Sequence, residues 1–310
     1  MHSAPEILLA FMLGAVAAVA QDPAQLPAGS GTTSKKSVQS AAQSSQVTVK
    51  PAALRPAPNA ANIPVDDPEV QTEKQLLLLA NQSRQQAGAP PLTLDAGLSQ
   101  AALIHAHVML DKQQLSHRFE GELSLPERLA AMTNLQLEQE GENVALDHSA
   151  ENAHQHLMHS PPHRANLLNP AFNVVGIGVV RSADRLYIVQ DFGRALPNYS
   201  LAEVKQSIAA AVSQMRHQSG QPALQRKDLP EADAVACSMA QADQLGTPAV
   251  QKLSQRFTTL SFTSLQPETL PAGADRAVAG HHLTTFSIGA CYGKTETYPT
   301  GVYWVVLSLE

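Results

Sequence analysis

An internal repeat restricts the fold of this chain more than any other feature. Residues 84–92, RQQAGAPPL, match residues 216–224, RHQSGQPAL, at an offset of 132. The strand-like segments GIGVV and LYIVQDF of the first half also have similar counterparts near the C-terminus, SIGACY (287–292) and VYWVVLS (302–308). Self-similarity of this kind indicates a repeated structural unit. We therefore predict two copies of one α+β fold.

Helix signals precede the hairpin-like segments in the first copy. N-cap residues, a capping box and prolines predict four helices, over about 67–88, from about 95, over 124–132 and over 149–159. Pro161 and Pro162 end the fourth helix, so His163 is predicted in the turn that follows. His105 lies on the apolar face of the second helix, and we expect it to be a structural core residue.

The N-terminal region carries signals of export rather than of a fold. Residues 1–20 are predicted to be a signal peptide. They contain an uncharged apolar run, 7–20, that finishes in AVA, the small-x-small pattern before a signal peptidase site. This segment has no Lys or Arg, so a retained anchor and a wrongly assigned start both stay alternatives, and we expect membrane contact only if the segment is retained. Residues 21–66 are rich in Ala, Ser, Gln and Pro, which predicts a disordered linker. The expected protein is secreted or held in the cell envelope, with folded domains at 67–197 and 198–310.

Charge and missing motifs exclude several classes of function. The formal net charge is −6 and no basic stripe occurs, which argues against nucleic-acid binding. The sequence has no HExxH, no GxSxG and no P-loop, and the first copy has no cysteine to act as a nucleophile. The sequence therefore contains no established catalytic motif, and whether the protein is an enzyme stays open.

Cys237 and Cys291 are the two cysteines of the chain. In an exported protein an even, small number of cysteines favours a disulfide, and two buried thiols are the alternative. The offset of 132 places Cys237 on the second helix of the second copy and aligns Asp111 with Asp243. A disulfide would then join that helix to a strand.

Three short motifs of the first copy hold the ionisable residues most suited to a site. They are LSHRF around His117, GENVA around Glu142 and SPPHRANLLNP around His163. Each lies at the edge of a predicted element, where side chains can converge on a cleft. Together with NQSRQQAGAPPL, LSQAALIHAHVM and YIVQDFG they span residues 73–193. In this order the motifs resemble the bacterial branch of the CAP superfamily (cysteine-rich secretory, antigen and pathogenesis-related proteins, also called SCP domains).

The resemblance implies a three-layer α-β-α sandwich with a surface cleft in which two histidines and two acids meet. His117, Glu142 and His163 match three of those positions. Ser160 occupies the fourth position, which is an acid in eukaryotic members, and Leu157 replaces a tryptophan of the family. The second copy, about 200–310, has no counterparts of these residues. We expect it to be a degenerate CAP-like copy kept for packing, dimerisation or partner binding.

The chemistry of the cleft leaves alternatives open. Two imidazoles and a carboxylate suit zinc or another divalent cation, with His117 and His163 as ligands. Alternatively, Glu142 hydrogen-bonds one imidazole and no metal is bound. The leading hypothesis is a module that binds an unknown extracellular ligand, namely a lipid, a glycan, wall material or a protein. The competing hypotheses are a metal-assisted hydrolase of peptide or wall material with Glu142 as general base, and a structural scaffold.

Overall fold

A computed structural model describes residues 67–310 and a two-residue strand, β1 (Leu8–Leu9). Apart from that strand, the predicted signal peptide (1–20) and linker (21–66) lie outside the described residues. Within the described part of the chain, no helix combines the length and the apolar character needed to cross a membrane.

The elements fall into two groups, which we call the first and the second unit. The first unit contains α1 (Pro68–Ala87), β2 (Thr93–Leu94), α2 (Ala96–Lys112), α3 (Leu125–Met132), β3 (Gln136–Asp147), α4 (Ala150–His159), α5 (Pro161–Leu168), β4 (Val174–Ser182) and β5 (Arg185–Leu196). The second unit contains α6 (Leu201–Gln218), β6 (Gln225–Arg226), α7 (Ala232–Ala242), α8 (Pro248–Ser254), β7 (Thr258–Ser264), α9 (Ala274–Val278), β8 (Thr285–Gly293) and β9 (Val302–Leu309).

The helix ends confirm the capping predictions. The side chain of Asp67 accepts a hydrogen bond from the backbone at the start of α1, and Gly88 ends that helix with a φ of 74°. Asp95 caps α2 in the same way. Ser124 and Glu127 form the predicted capping box of α3. These interactions satisfy backbone groups that have no partner inside the helix.

The first unit is a three-layer α-β-α sandwich around a four-stranded sheet of order β2-β4-β5-β3. Alternate side chains of β5 point to opposite faces of that sheet. Ile188 and Phe192 pack with α1, α4 and α5 on one face. Tyr187 and Val189 pack with α2 on the other, and α3 extends that second layer. The strand β3 lies at an edge of the sheet, where it carries Glu142.

Two of the elements that were not predicted, β3 and α5, bear on the site. The GENVA motif lies inside β3, a strand of 12 residues, rather than at the edge of an element. His163 lies on α5 and not in a turn, so that prediction is wrong. Pro161 and Pro162 end α4 but also open α5. Proline suits the first turn of a helix because its missing N–H would have no intrahelical partner there.

The second unit has the same strand order as the first. Its sheet has the order β6-β8-β9-β7, which corresponds strand by strand to β2-β4-β5-β3. The short strand β1 pairs with the outer edge of β7. The pair β6–β8 is parallel like β2–β4, and the remaining pairs, β7–β9 and β8–β9, are antiparallel like β3–β5 and β4–β5. Tyr303 and Val305 face α6 and α9, whereas Trp304 and Val306 face α7 and α8. This unit therefore also has helices on both faces of its sheet.

The second helix of each unit ends in the same way, but not at the predicted offset. Gln113 after α2 and Asp243 after α7 are both left-handed, with φ of 54° and 48°. These helix ends pair Gln113, not Asp111, with Asp243. The prediction was wrong by two residues because the offset of 132, which holds between β2 and β6, falls to 130 at these helix ends. Cys237 on α7 and Cys291 on β8 form a disulfide with Cα atoms 5.0 Å apart, which ties the helix to the sheet.

A fully buried arginine marks each unit at equivalent positions of the repeated motif. Arg84 is 0% exposed and donates four hydrogen bonds of 2.7–2.9 Å to the carbonyls of Pro90, Leu167, Asn169 and Phe172. Arg216 donates likewise to the carbonyls of Pro222, Val278 and Gly280. Burial lowers the pKa of Arg84. Each guanidinium thus ties the first helix of its unit to the loops around the sheet.

Candidate functional site

His117 and Glu142 meet at the surface of the first unit. His117 lies in the loop between α2 and α3, and its Nδ1 is 2.8 Å from Oε1 of Glu142. The imidazole is 25% exposed, whereas the carboxylate is 4% exposed. The sequence predicted that these two residues would share a site, and the structure places them in direct contact. The buried acid therefore orients a histidine that solvent can reach.

Arg128 on α3 completes this contact from below the surface. One of its terminal nitrogens contacts the second carboxylate oxygen of Glu142. The other donates to the carbonyl of His117 at 3.2 Å and to that of Leu123 at 3.4 Å. Arg128 is 6% exposed, so its charge balances that of Glu142 where water does not screen it. The sequence prediction missed this residue.

A second buried pair fixes the loop that carries His117. His105 is fully buried, with Nδ1 2.6 Å from Glu122 Oε1 and Nε2 2.8 Å from the carbonyl of Ser116. Both ring nitrogens thus contact oxygens of the segment between α2 and α3, which holds that segment against α2. Burial by itself would raise the pKa of Glu122, but hydrogen bonds from His105 and from the Phe119 backbone outweigh it and lower that pKa. The role of His105 is structural, as predicted from its place on α2.

Asp191 lies behind Glu142 in the interior. The two residues are directly opposite each other on β5 and β3, so their side chains share the sheet face that α2 and α3 cover. Asp191 is 0% exposed, and neither of its oxygens has a hydrogen-bond donor among the described residues. Burial, reinforced by the charge of Glu142 and opposed by that of Arg128, raises the pKa of Asp191 well above its usual range. A protonated Asp191 can donate a hydrogen bond to Glu142.

An amide network joins α5 to the same strand. Asn143 donates from Nδ2 to the carbonyl of His163 at 3.1 Å. Asn166 donates to the carbonyl of Glu142 and to the Asn143 side chain, both at 3.0 Å. Ser160 stands at the junction of α4 and α5, as the C-cap of one and the N-cap of the other. His163 is thus linked to the site through its backbone.

Comparison with known proteins identifies the first unit. Residues 77–192 match the family model described as CAP, the cysteine-rich secretory protein family. This segment is a CAP domain. The resemblance noted in the sequence is thereby confirmed for the first unit, and the match does not extend to the second.

Bacterial proteins are among the relatives of this CAP domain. The chain is 32% identical over 111 residues to the uncharacterized protein YkwD of Bacillus subtilis, which covers 36% of this chain and 43% of that protein. It is 32% identical over 122 residues to the uncharacterized membrane protein YlbC of the same organism, covering 39% and 34%. A solved extracellular protein with an SCP domain from Bacillus anthracis shows 31% identity over 41% of each chain, with a TM-score of 0.37. The chain thus spans less than half the length of these relatives.

The residues of the CAP domain do not fit the predicted metal ion. Within residues 67–310, no group of three or more His, Cys, Asp or Glu side chains is arranged to hold one. The carboxylate of Glu142 is already engaged by His117 and by the Arg128 cation, which would repel a second positive charge. The zinc hypothesis for His117 and His163 is therefore not carried further. Because Glu142 is 4% exposed, it is also poorly placed to activate a water as a general base.

Proposed function

We propose that the protein is an exported binding module whose CAP domain recognises an extracellular ligand at a cleft around His117 and Glu142. Ser160 and His163 form the neighbouring part of that cleft, at the junction of α4 and α5. The observation that carries the proposal is the contact between the partly exposed imidazole of His117 and the buried carboxylate of Glu142. A histidine held in this way is ordered before any ligand arrives, which lowers the entropic cost of binding.

The electrostatics of the site favour binding over acid-base chemistry. Nδ1 of His117 donates to Glu142, so the remaining nitrogen, Nε2, serves as the hydrogen-bonding group for a ligand. Arg128 balances the charge of Glu142, and the buried network holds the imidazole in one orientation. The ligand would then be a molecule with a hydroxyl or amide donor, which glycans, wall material and proteins all possess.

We further propose that the second unit is a degenerate CAP-like copy and that the chain is exported through its N-terminal segment. The shared strand order and the matched carbonyl contacts of Arg84 and Arg216 support the first statement. The apolar run of residues 7–20 and its AVA ending support the second. The second unit has no residues equivalent to His117 and Glu142, so the proposed ligand binds the first unit.

A binding comparison tests the proposed site. The full mature chain is mixed with purified cell-wall peptidoglycan and sedimented, and separately with phospholipid vesicles and floated. His117→Ala is compared with the wild type, and His148→Ala serves as the control because His148 is 55% exposed and lies outside the cleft. We expect His117→Ala to lose binding that the control retains. Equal binding by all three proteins would place the ligand elsewhere on the surface.

A further inference from the structure

The second unit contacts the end of the helix that carries Arg128. Lys294, in the loop between β8 and β9, has its Nζ 3.2 Å from the carbonyl of Ala130 and 3.3 Å from that of Thr133. These carbonyls lie at the C-terminus of α3, where backbone acceptors lack intrahelical partners and the helix dipole is negative. The ammonium group of Lys294 supplies both a donor and a favourable charge. The second unit thus caps α3.

The same loop contacts the start of β3. Thr300 is 5% exposed, and its Oγ1 donates to the carbonyl of Leu137 at 3.2 Å. The register of β3 against β5 shifts just after Leu137, so this part of the edge strand is irregular. In a second contact, Gln266 after β7 donates to the side chain of Glu138 at 2.5 Å. The second unit therefore covers the edge strand β3 at the point where the pairing of β3 with β5 is irregular.

The two elements held in this way are the two that form the buried ion pair of the site. Three residues, 133–135, connect α3 to β3. Arg128 on α3 and Glu142 on β3 join the elements within the site. The hydrogen bonds of Lys294 and Thr300 join them a second time, beside the connection. A movement of α3 relative to β3 would have to break both sets of contacts.

We propose that Lys294 and Thr300 are positioning residues for the site of the CAP domain. They hold α3 against β3 and so keep Arg128 paired with Glu142. Because Arg128 also donates to the carbonyl of His117, the loop that carries this partly exposed imidazole is held as well. The inference rests on the proposed function for the location of the site. It gives the second unit a role that needs no histidine and acid of its own.

The test measures the reactivity of His117 in the full chain. Diethyl pyrocarbonate modifies unprotonated imidazoles, and mass spectrometry gives the rate at each histidine. The variants are Lys294→Ala and the double variant Lys294→Ala, Thr300→Val. Lys252→Ala, an exposed lysine on α8, is the matched control, and Arg128→Met breaks the ion pair directly. The rate at His148 in each protein corrects for reagent concentration.

Looser packing of the His117 loop is expected to raise its modification rate. Loss of one or two hydrogen bonds changes a local opening equilibrium by roughly tenfold. Because the imidazole is already 25% exposed, we expect a faster reaction, by up to about tenfold, in the double variant and in Arg128→Met. Lys252→Ala should react like the wild type. An unchanged His117 rate in folded Lys294→Ala and in the double variant would overturn the inference, as would an unchanged rate in Arg128→Met. If the double variant does not fold, the single variant Lys294→Ala decides the test, because Lys294 is exposed and its replacement leaves the core unchanged. This test uses no ligand. The modification rates can therefore be interpreted even if the binding experiment of the proposed function fails.

Discussion

Asp191→Asn is expected to stabilise the protein increasingly as the pH rises. The substitution removes the titrating group but keeps a hydrogen-bond donor that can face Glu142. Burial and the Glu142 charge raise the pKa of Asp191, so the folded protein keeps a proton that the unfolded chain releases above about pH 4. The unfolded state then binds fewer protons, and wild-type stability falls with rising pH by about 1.4 kcal/mol per unit until the pKa of the folded state is reached. The amide of the Asp191→Asn variant does not titrate and has no such dependence.

Urea unfolding followed by circular dichroism measures this difference at about pH 5 and about pH 7. Between these two pH values the free energy of unfolding of Asp191→Asn should rise relative to that of the wild type, by up to about 1.4 kcal/mol for each pH unit below the pKa of folded-state Asp191. Any constant effect of the amide cancels in the comparison. Asp228→Asn, at an exposed position, is the control and should change by less than about 0.5 kcal/mol. A difference between Asp191→Asn and wild type that stays constant, or that favours the wild type as the pH rises, would show an ionised Asp191 and refute the reasoning.

Three further predictions concern the two units and the metal hypothesis. Arg84→Met leaves four carbonyls without their donor and should cost about 4 kcal/mol in urea unfolding; a loss below about 1 kcal/mol would contradict the assigned role. Cys237→Ser opens a disulfide that spans 54 residues and should destabilise the second unit by about 4 kcal/mol, measured by Trp304 fluorescence; an unchanged midpoint would contradict this. Zinc calorimetry near neutral pH compares the wild type with the double variant His117→Ala, His163→Ala. We expect no tight one-to-one binding to the wild type, because Arg128 already neutralises the carboxylate of Glu142. Tight binding lost in that double variant would restore the metal hypothesis.

The helices that the sequence predicted correctly are those with short-range signals. The cap of Asp67 and the left-handed Gly88 act within a few residues of the helix ends that they define. Capping is therefore visible in sequence letters alone. The missed helix α5 shows the limit of the same reasoning. Pro161 is compatible with ending one helix and with starting the next, and only packing of the second helix decides between them.

The buried charges could not be predicted because their partners are distant in sequence. Arg84 donates to carbonyls up to 88 residues away. Arg128 contacts Glu142 from α3, and nothing in the sequence of that helix indicates that its arginine points into the protein. A signal existed for Asp191, which is an acid within the apolar strand segment YIVQDF. An acid at such a position indicates either a partner or a retained proton.

The sequence grouped His117 with Glu142, but it did not indicate the buried cation beside them, and a binding role for these residues stays a prediction. The motif order identified His117 and Glu142, which the structure joins directly. The same motifs suggested a metal ion because imidazoles and a carboxylate are common ligands. Arg128 changes that interpretation, since its guanidinium already pairs with the carboxylate that would balance the charge of a metal ion.

The orientation of His117 is the central claim, and its ring nitrogens can be observed directly. A long-range proton–nitrogen correlation spectrum of the full chain, assigned with His117→Ala, reports which nitrogen carries the proton in the neutral ring. The account predicts the Nδ1–H tautomer, with the proton directed at Glu142 and an unprotonated Nε2 facing the cleft. A spectrum with the proton on Nε2 would contradict it, because the contact with Glu142 would then lack a donor.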